Sequence, residues 1–312
     1  MKYTKYLPIV FGFSLIIGLI YKIGINELIN SIHFVKTFYL LGASLVLFMA
    51  IVVKSMRWHF ILKPLGINSK KISSGSYFIG QATNEILPTG SGEFARLIIL
   101  KKHTNKSLIS FAPAIVLERF FDLFLLLIVS IFFAYSEESG ISLLILLLMV
   151  VLVGLIFIKP GLIIFPIKCV SFFENKNNLS KYAIFIKNKL IETQYGLCRY
   201  QNNPRLLFLI FILTVVSWIF LETFSHYLLL IGFGIKIPYL SLLGIVAISW
   251  ILGTLSMLPG GLGAREVVYA LMLVKFGVVL SLGLAVAMVY RGMVYLLFGS
   301  LAAISTVMLN KK

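Results

Sequence analysis

The sequence predicts an all-α polytopic membrane protein, built as an inverted-topology repeat of transmembrane helices with two re-entrant, broken-helix hairpins. Three observations carry that expectation. Hydrophobic residues make up 60% of the 312 and charged residues only 12%, and the apolar stretches include several runs of about 18 or more residues, the length at which a helix crosses a bilayer. The runs are continuous rather than alternating, which excludes the strands of a closed barrel, the other fold that satisfies its backbone in lipid. Finally, Leu-Pro-x-Gly-x-Gly occurs twice, at Leu87 to Gly92 and at Leu258 to Gly263, with an arginine following each at matching distance: Arg119 lies 31 residues after Pro88 and Arg291 lies 32 after Pro259. A motif repeated together with its downstream spacing marks an internal repeat organised around two breaks.

Taken in order, the chain begins with Met1 to Lys5 and an apolar run; no small-x-small cleavage site precedes Lys22, so residues 6–21 are read as span 1 rather than a leader. Span 2 is expected over 35–53, ending at Lys54, Arg57 and Trp58 as anchors on the inner side. Residues 72–87 run to the Pro88 break and 93–100 return to Lys101 and Lys102, forming the hairpin 72–100. Span 3 (108–134) leads to Glu137 and Glu138, and span 4 (141–158) leads back. The polar linker 159–204 carries seven basic residues between apolar positions such as Leu179, Tyr182, Ala183 and Ile186, the pattern of a helix lying on the anionic cytoplasmic leaflet. Span 5 (205–231) precedes the second hairpin, in which 239–257 reach the Pro259 break and 266–279 return; span 6 (283–309) ends at Lys311 and Lys312. Repeat 1 thus covers 35–134 and repeat 2 covers 205–309, within one transmembrane domain, 1–312.

Of 28 lysines and arginines, this arrangement leaves only Lys22, Lys36, Lys236 and Lys275 outside. The positive-inside rule then places both termini in the cytoplasm of a multi-pass cell membrane protein. Three spans between the hairpins make them open from opposite faces, as in many secondary transporters.

A net charge of +17 does not point to nucleic acid, because the lysines sit in short loops between spans and no basic globular region exists to hold a duplex. Cys169 and Cys198 are read as free thiols. No nucleophile-base set, His-rich metal cluster or nucleotide motif is found, so the expectation is no enzyme, no metal and no cofactor.

Charges inside the membrane carry the functional reading. Six of eleven acidic residues (Glu85, Glu93, Glu118, Asp122, Glu222, Glu266) and the arginines Arg96, Arg119, Arg265 and Arg291 fall at membrane depth. Each such charge costs about 2.5–3.5 kcal/mol to insert, against about 0.3–0.6 gained per leucine, isoleucine or phenylalanine, so these side chains must face partners, water or a ligand. Arginine, rather than lysine, is the residue kept there, and its planar fork suits phosphate or carboxylate. At the breaks, Pro88 and Pro259 end the incoming half-helices, and Gly90, Gly92, Gly260, Gly261 and Gly263 let bare backbone approach a ligand. The outgoing half-helices then offer free amides to an anion. The substrate-binding set is therefore Asn84, Glu93, Arg96, Glu118, Arg119, Asp122, Arg265, Glu266 and Arg291, four of them arginines that could cage one phosphate. Plainer roles stand beside this one: Glu93 pairing with Arg96 along one turn, Glu118, Arg119 and Asp122 as a structural network, and Glu222 with His226 as a satisfied polar pair. Gly42, Gly232, Gly244, Gly283 and Gly299 are read as helix-packing positions.

The pattern Asn84-x-x-x-Pro88, Gly92-Glu93-x-x-Arg96, Glu118-Arg119-x-x-Asp122, Pro259-Gly260-Gly261-x-Gly263 with Arg265-Glu266, and Arg291 resembles the transmembrane flippase-like domain of lysylphosphatidylglycerol synthases, over nearly the whole chain. That resemblance implies movement of a phosphate-bearing lipid, aminoacylated or glycosylated, between leaflets. The soluble aminoacyl-transferase domain has no counterpart in these residues, so synthase activity is not expected, and Thr89-Gly90-Ser91 replaces the basic residue that relatives often carry there. The expected partners are membrane lipids and a separate lipid-modifying enzyme. Two other functions remain open: an ion-coupled transporter of a small anion, and an accessory subunit of a lipid-modifying enzyme.

Overall fold

A computed structural model describes residues 35–87, 90–104, 106–136, 191 and 193–310. Spans 1 and 4, most of the 159–204 linker, and Pro88 itself lie outside the described residues, and with them the expected loop parity. Within the described residues there are helices and no strand.

Helix α1 (Thr37–Leu62) is followed by a 3-10 turn at Lys63–Leu65. It does not stop at Lys54 as expected; no proline or glycine interrupts it between there and Pro64, so the helix runs on and carries Arg57 and Trp58 into the core. The first hairpin is α2 (Lys70–Ile86) and α3 (Ser91–Thr104). Ser69 caps α2 by accepting from the Ile72 amide. The two arms cross where Gly80 faces Gly92, so closely that a methyl group on Gly92 would overlap the Gly80 carbonyl.

After a 3-10 turn at Leu108–Phe111, α4 (Ala112–Ser136) carries the Glu118-Arg119-x-x-Asp122 cluster. One continuous helix spans Pro204–Gly232, composed of α5 (Pro204–Val215), a π-helical stretch Val216–Glu222, and α6 (Thr223–Gly232). Pro204 sits in its first turn and Asn203 caps it. The π stretch shifts the register, so that Trp218 and Glu222 both turn into the bundle, and the Thr223 hydroxyl donates to the Trp218 carbonyl at 2.9 Å.

The second hairpin is α7 (Tyr239–Leu255) and α8 (Ala264–Val274), joined by a short 3-10 turn at Pro259–Gly261. Its reversal is tight: Met257, Gly260, Gly261 and Gly263 all have positive φ. The last helix is α9 (Leu280–Asn310).

Packing brings the two hairpins together. Helix α9 lies against both α2 and α8, one arm of each hairpin, while α7 packs on α4 and α6 on α1. The largest apolar cluster runs from Ala43 and Leu47 through Leu117 and Leu229 to Val286 and Phe298, with a smaller one around Leu126, Trp218 and Ala247. Three helical segments, Thr37–Leu65, Pro204–Gly232 and Leu280–Asn310, are apolar and 29, 29 and 31 residues long, about 43–46 Å at helical rise, enough to cross a hydrocarbon layer of about 30 Å with room to tilt. Their outer faces expose Phe38, Leu41, Phe208, Phe220 and Leu296, an apolar surface suited to lipid. Gly232, Gly244 and Gly283 do pack closely against Tyr39, Phe133 and Ala270, but Gly299 has open space in front of it.

Candidate functional site

Several ion-paired groups and three openings lie around the hairpins. The deeper cluster is built on α1 and α4. Arg57 grips Asp122 with both terminal nitrogens, at 2.6 and 3.0 Å, and reaches Glu118 at 3.3 Å and the Thr214 hydroxyl at 2.8 Å. Trp218 donates to Asp122 at 2.8 Å. Arg96, from α3, completes the cluster at Glu118 (2.5 Å), with its guanidinium over the rings of Trp58 and Tyr77. All four charged groups are buried, Arg57 and Arg96 almost completely.

Arg96, Glu118 and Asp122, expected to touch a ligand, therefore stand behind the openings and join α1, α3 and α4 to one another. The two other expected pairings within single helices give way to pairs between helices. Glu93 binds Arg119 rather than Arg96. Glu222 binds Lys54 and, at 3.6 Å, Arg265, leaving both ring nitrogens of His226 without a hydrogen-bond partner among the described residues. Lys54 was expected as an inner-side anchor and no lysine was expected in this zone; instead its ammonium sits over the Trp218 ring at 3.7 Å as it meets Glu222.

A repeated unit stands out. At each hairpin, the glutamate opening the outgoing arm pairs with the arginine on the helix that follows: Glu93 with Arg119, and Glu266 with Arg291, 26 and 25 residues apart. Arg291 further binds Glu85 at 3.2 Å and the Gly260 carbonyl at 2.9 Å, so it ties the second break to the end of the first hairpin's incoming arm. Gly260 lies directly on that arm; a side chain there would come within 3.2 Å of the Glu85 backbone.

At each outgoing half-helix, one amide is already occupied. Asn84 accepts from the Gly92 amide at 2.7 Å, and Glu266 accepts from the Gly263 amide at 2.8 Å. Both side chains act as caps.

Three openings adjoin at Glu85, which lines each of them. The outer polar cavity is bounded by Asn84, Glu93, Arg119, Gly260 and Arg265. An inner cavity with room for little more than a water molecule lies beyond Arg265 and Arg291, walled by His226, Tyr269 and Tyr290. The third and roomiest opening is an apolar groove formed by Ile86, Leu87, Pro259, Leu262 and Phe298. Of the expected binding residues, Asn84, Glu93, Arg119, Arg265, Glu266 and Arg291 line an opening. Glu85, Tyr269 and Tyr290 were not among them, nor were Lys54 and Arg57, which support the site. Glu85 is recognisable in the sequence as one of the acids at membrane depth; the tyrosines carry no signal, being ordinary residues of apolar helices. No group of residues suited to a metal ion occurs among the described residues.

The class this defines is an all-helical membrane protein with charged side chains gathered between two broken hairpins. Its family follows from comparison: residues 7–302 match the lysylphosphatidylglycerol synthase TM region, and the chain belongs to that family. Among its relatives, a UPF0104 membrane protein of Pyrococcus horikoshii is 25% identical over 92% of each chain. One from Methanothermobacter thermautotrophicus is 28% identical over 93% of this chain and 89% of its own, and one from Methanocaldococcus jannaschii is 25% identical over 100% and 97%. No solved structure matches the chain.

Proposed function

We propose that this protein moves a phosphate-bearing lipid between the leaflets of the membrane. The observation that carries the reading is the junction at Glu85, where a polar cavity containing Arg119 and Arg265 opens beside an apolar groove. A lipid has that same division, a charged head joined to hydrocarbon, and a small soluble anion would have no use for the groove. In this reading the phosphate displaces Glu93 or Glu222 from its arginine, exchanging one charge-assisted contact for another. The acyl chains remain along Ile86, Leu262 and Phe298. Rocking of one repeat against the other, through the Arg291 contacts, then exposes the cavity to each leaflet in turn. Membership in the family supports a membrane role, and the resemblance to its flippase-like domain supports the lipid.

The test is leaflet exchange of a fluorescent phospholipid in reconstituted vesicles. Wild type accelerates exchange over empty vesicles, and Arg119→Ala and Arg265→Ala lower the rate by about tenfold or more, the scale expected for losing a charge-assisted hydrogen bond. Equal rates for wild type, variants and empty vesicles would reject the reading.

A further inference from the structure

Every side-chain carboxylate among the described residues belongs to an ion pair around the hairpins: Glu85, Glu93, Glu118, Asp122, Glu222 and Glu266. Their partners are Lys54, Arg57, Arg96, Arg119, Arg265 and Arg291. Six against six leaves the network neutral as a whole. It is not neutral group by group. Arg57 and Arg96 face Glu118 and Asp122, and Arg119 faces Glu93. Lys54 and Arg265, however, share the single carboxylate of Glu222, while Glu85 and Glu266 share the single guanidinium of Arg291. One cation and one carboxylate are therefore in excess, and on common walls: Arg265 and Glu85 line both the outer polar cavity and the inner one.

An anion entering the outer cavity has one place to settle without depriving a carboxylate of its last cation. At Arg119 it would strip Glu93; at Arg265 it leaves Glu222 paired with Lys54. Once there it makes the network negative by one charge, and an uncompensated buried charge is costly. We infer that a phosphate anion bound at Arg265 draws one proton from water onto the Glu85 carboxylate, so that anion and proton move as a neutral pair. The inference rests on the translocase reading and supplies its coupling ion. Glu85 is singled out by how loosely it is held. Asp122 is bound by Arg57 and Trp218, Glu118 by Arg57 and Arg96, Glu222 by Lys54 and Arg265, and Glu266 by Arg291 and the Gly263 amide. Glu85 meets one nitrogen of Arg291 at 3.2 Å, and its side chain is 17% exposed against 5% for Glu266. As a neutral carboxyl it leaves Arg291 and Glu266 matched one to one. The charged groups around it are Arg291 on α9, Arg265 and Glu266 on α8, Arg119 on α4 and Glu93 on α3, with Glu222 behind Arg265. The other titratable groups are His226 on α6, Tyr269 on α8, and Tyr290 and Tyr295 on α9. Helix α1 meets α2 through Trp58 at Ser76 and His59 at Ser73, toward the opposite end from Glu85.

Two probes test this: dimethyl phosphate, a diester that keeps a single negative charge across the pH range, and a fluorescent phosphatidylglycerol in phosphatidylcholine vesicles. Binding of dimethyl phosphate to the detergent-solubilised protein, followed by calorimetry in buffers of different ionisation enthalpy, should take up about one proton per anion, and the affinity should fall by up to about tenfold for each unit of rising pH. In vesicles, a pH difference should drive the lipid, and a membrane potential imposed with potassium and valinomycin should not. Glu85→Gln installs a permanently neutral group, so binding should take up no proton and hold one affinity across pH, while lipid movement responds to potential instead of pH. Glu93→Gln, which removes the next most loosely held carboxylate, should retain the proton. The wild-type measurements decide whether a proton is taken up, whatever the stability of the variants. Proton uptake with dimethyl phosphate but no lipid exchange would keep Glu85 as the coupling group, assign it to a soluble anion, and reject the translocase reading. Lipid exchange indifferent to pH, with no proton taken up on binding, would overturn the coupling and leave the translocase standing. Uptake that survives Glu85→Gln and disappears in Glu93→Gln would overturn the assignment to Glu85.

Discussion

Arg291, on the last helix, holds Glu85, on the first hairpin, at 3.2 Å across 206 residues of sequence. The same guanidinium is bound to Glu266 and to the Gly260 carbonyl, so one side chain closes both breaks on each other. Removing it leaves the buried Glu266 carboxylate, the partly buried Glu85 carboxylate and a carbonyl without their donor, whereas neutralising Glu85 leaves Arg291 its other partners. Arg291→Ala should therefore cost about 3–5 kcal/mol, the scale for an orphaned buried charge. Glu85→Gln should cost about 1–2 kcal/mol, close to one charged hydrogen bond. Thermal midpoints of the two purified variants give the order; a Glu85→Gln protein less stable than Arg291→Ala would contradict it.

The bidentate Arg57 to Asp122 pair makes a different prediction, because burial of both partners is nearly complete. Arg57→Leu strands Asp122 and part of Glu118 in the core and should lower stability by about 3–5 kcal/mol. In Arg57→Leu/Asp122→Leu the stranded charge is gone, Glu118 keeps Arg96, and much of the loss should be recovered. Equal destabilisation of the single and double variants in thermal unfolding would show that the pair is not the source of the effect.

At the crossing of the first hairpin, backbone meets backbone. Gly92→Ala forces a methyl group against the Gly80 carbonyl and the Asn84 side chain, and overpacking of a tight contact costs about 1–3 kcal/mol. Gly292→Ala, on α9 with open space in front of it, should instead be neutral or stabilise by about 0.5–1 kcal/mol through helix propensity. Thermal unfolding of both variants beside wild type checks the contrast.

Composition and run length are enough to read an all-helical membrane fold from the sequence, because the backbone leaves few choices in lipid. The doubled Leu-Pro-x-Gly-x-Gly locates two hairpins, and Gly260 of the second lies against Glu85 on the incoming arm of the first. Partners were not legible. Glu93 and Arg96 stand three apart in sequence, as a helical pair would, yet each finds its opposite charge on α4. Local spacing states which side chains share a face but not which helix that face meets. Likewise Lys54 and Arg57 have the sequence signature of interfacial anchors, and only the uninterrupted continuation of α1 to Leu62 distinguishes them. The π stretch at Val216–Glu222 adds a shift that a 3.6-residue period does not contain, and Glu222 at its end turns to Lys54 and Arg265 on other helices instead of His226.

Gly299 offers the cleanest way to separate a lipid pathway from a pathway for soluble anions. It borders the apolar groove beside Phe298, and a Cβ added there meets nothing within 4 Å. Gly299→Trp should consequently fold with a thermal midpoint close to that of wild type, while its indole fills the space that acyl chains would occupy. The outer polar cavity, bounded by Asn84, Glu93, Arg119 and Arg265, is left intact. If the groove carries hydrocarbon, blocking it should remove at least the roughly 1.4 kcal/mol that corresponds to a tenfold fall in lipid exchange, while stabilisation by glycerol 3-phosphate is retained, since that ligand has no chain to place. Unchanged exchange in vesicles holding equal amounts of folded variant and wild type would mean that hydrocarbon takes another path, and the apolar groove would then lose its part in transport.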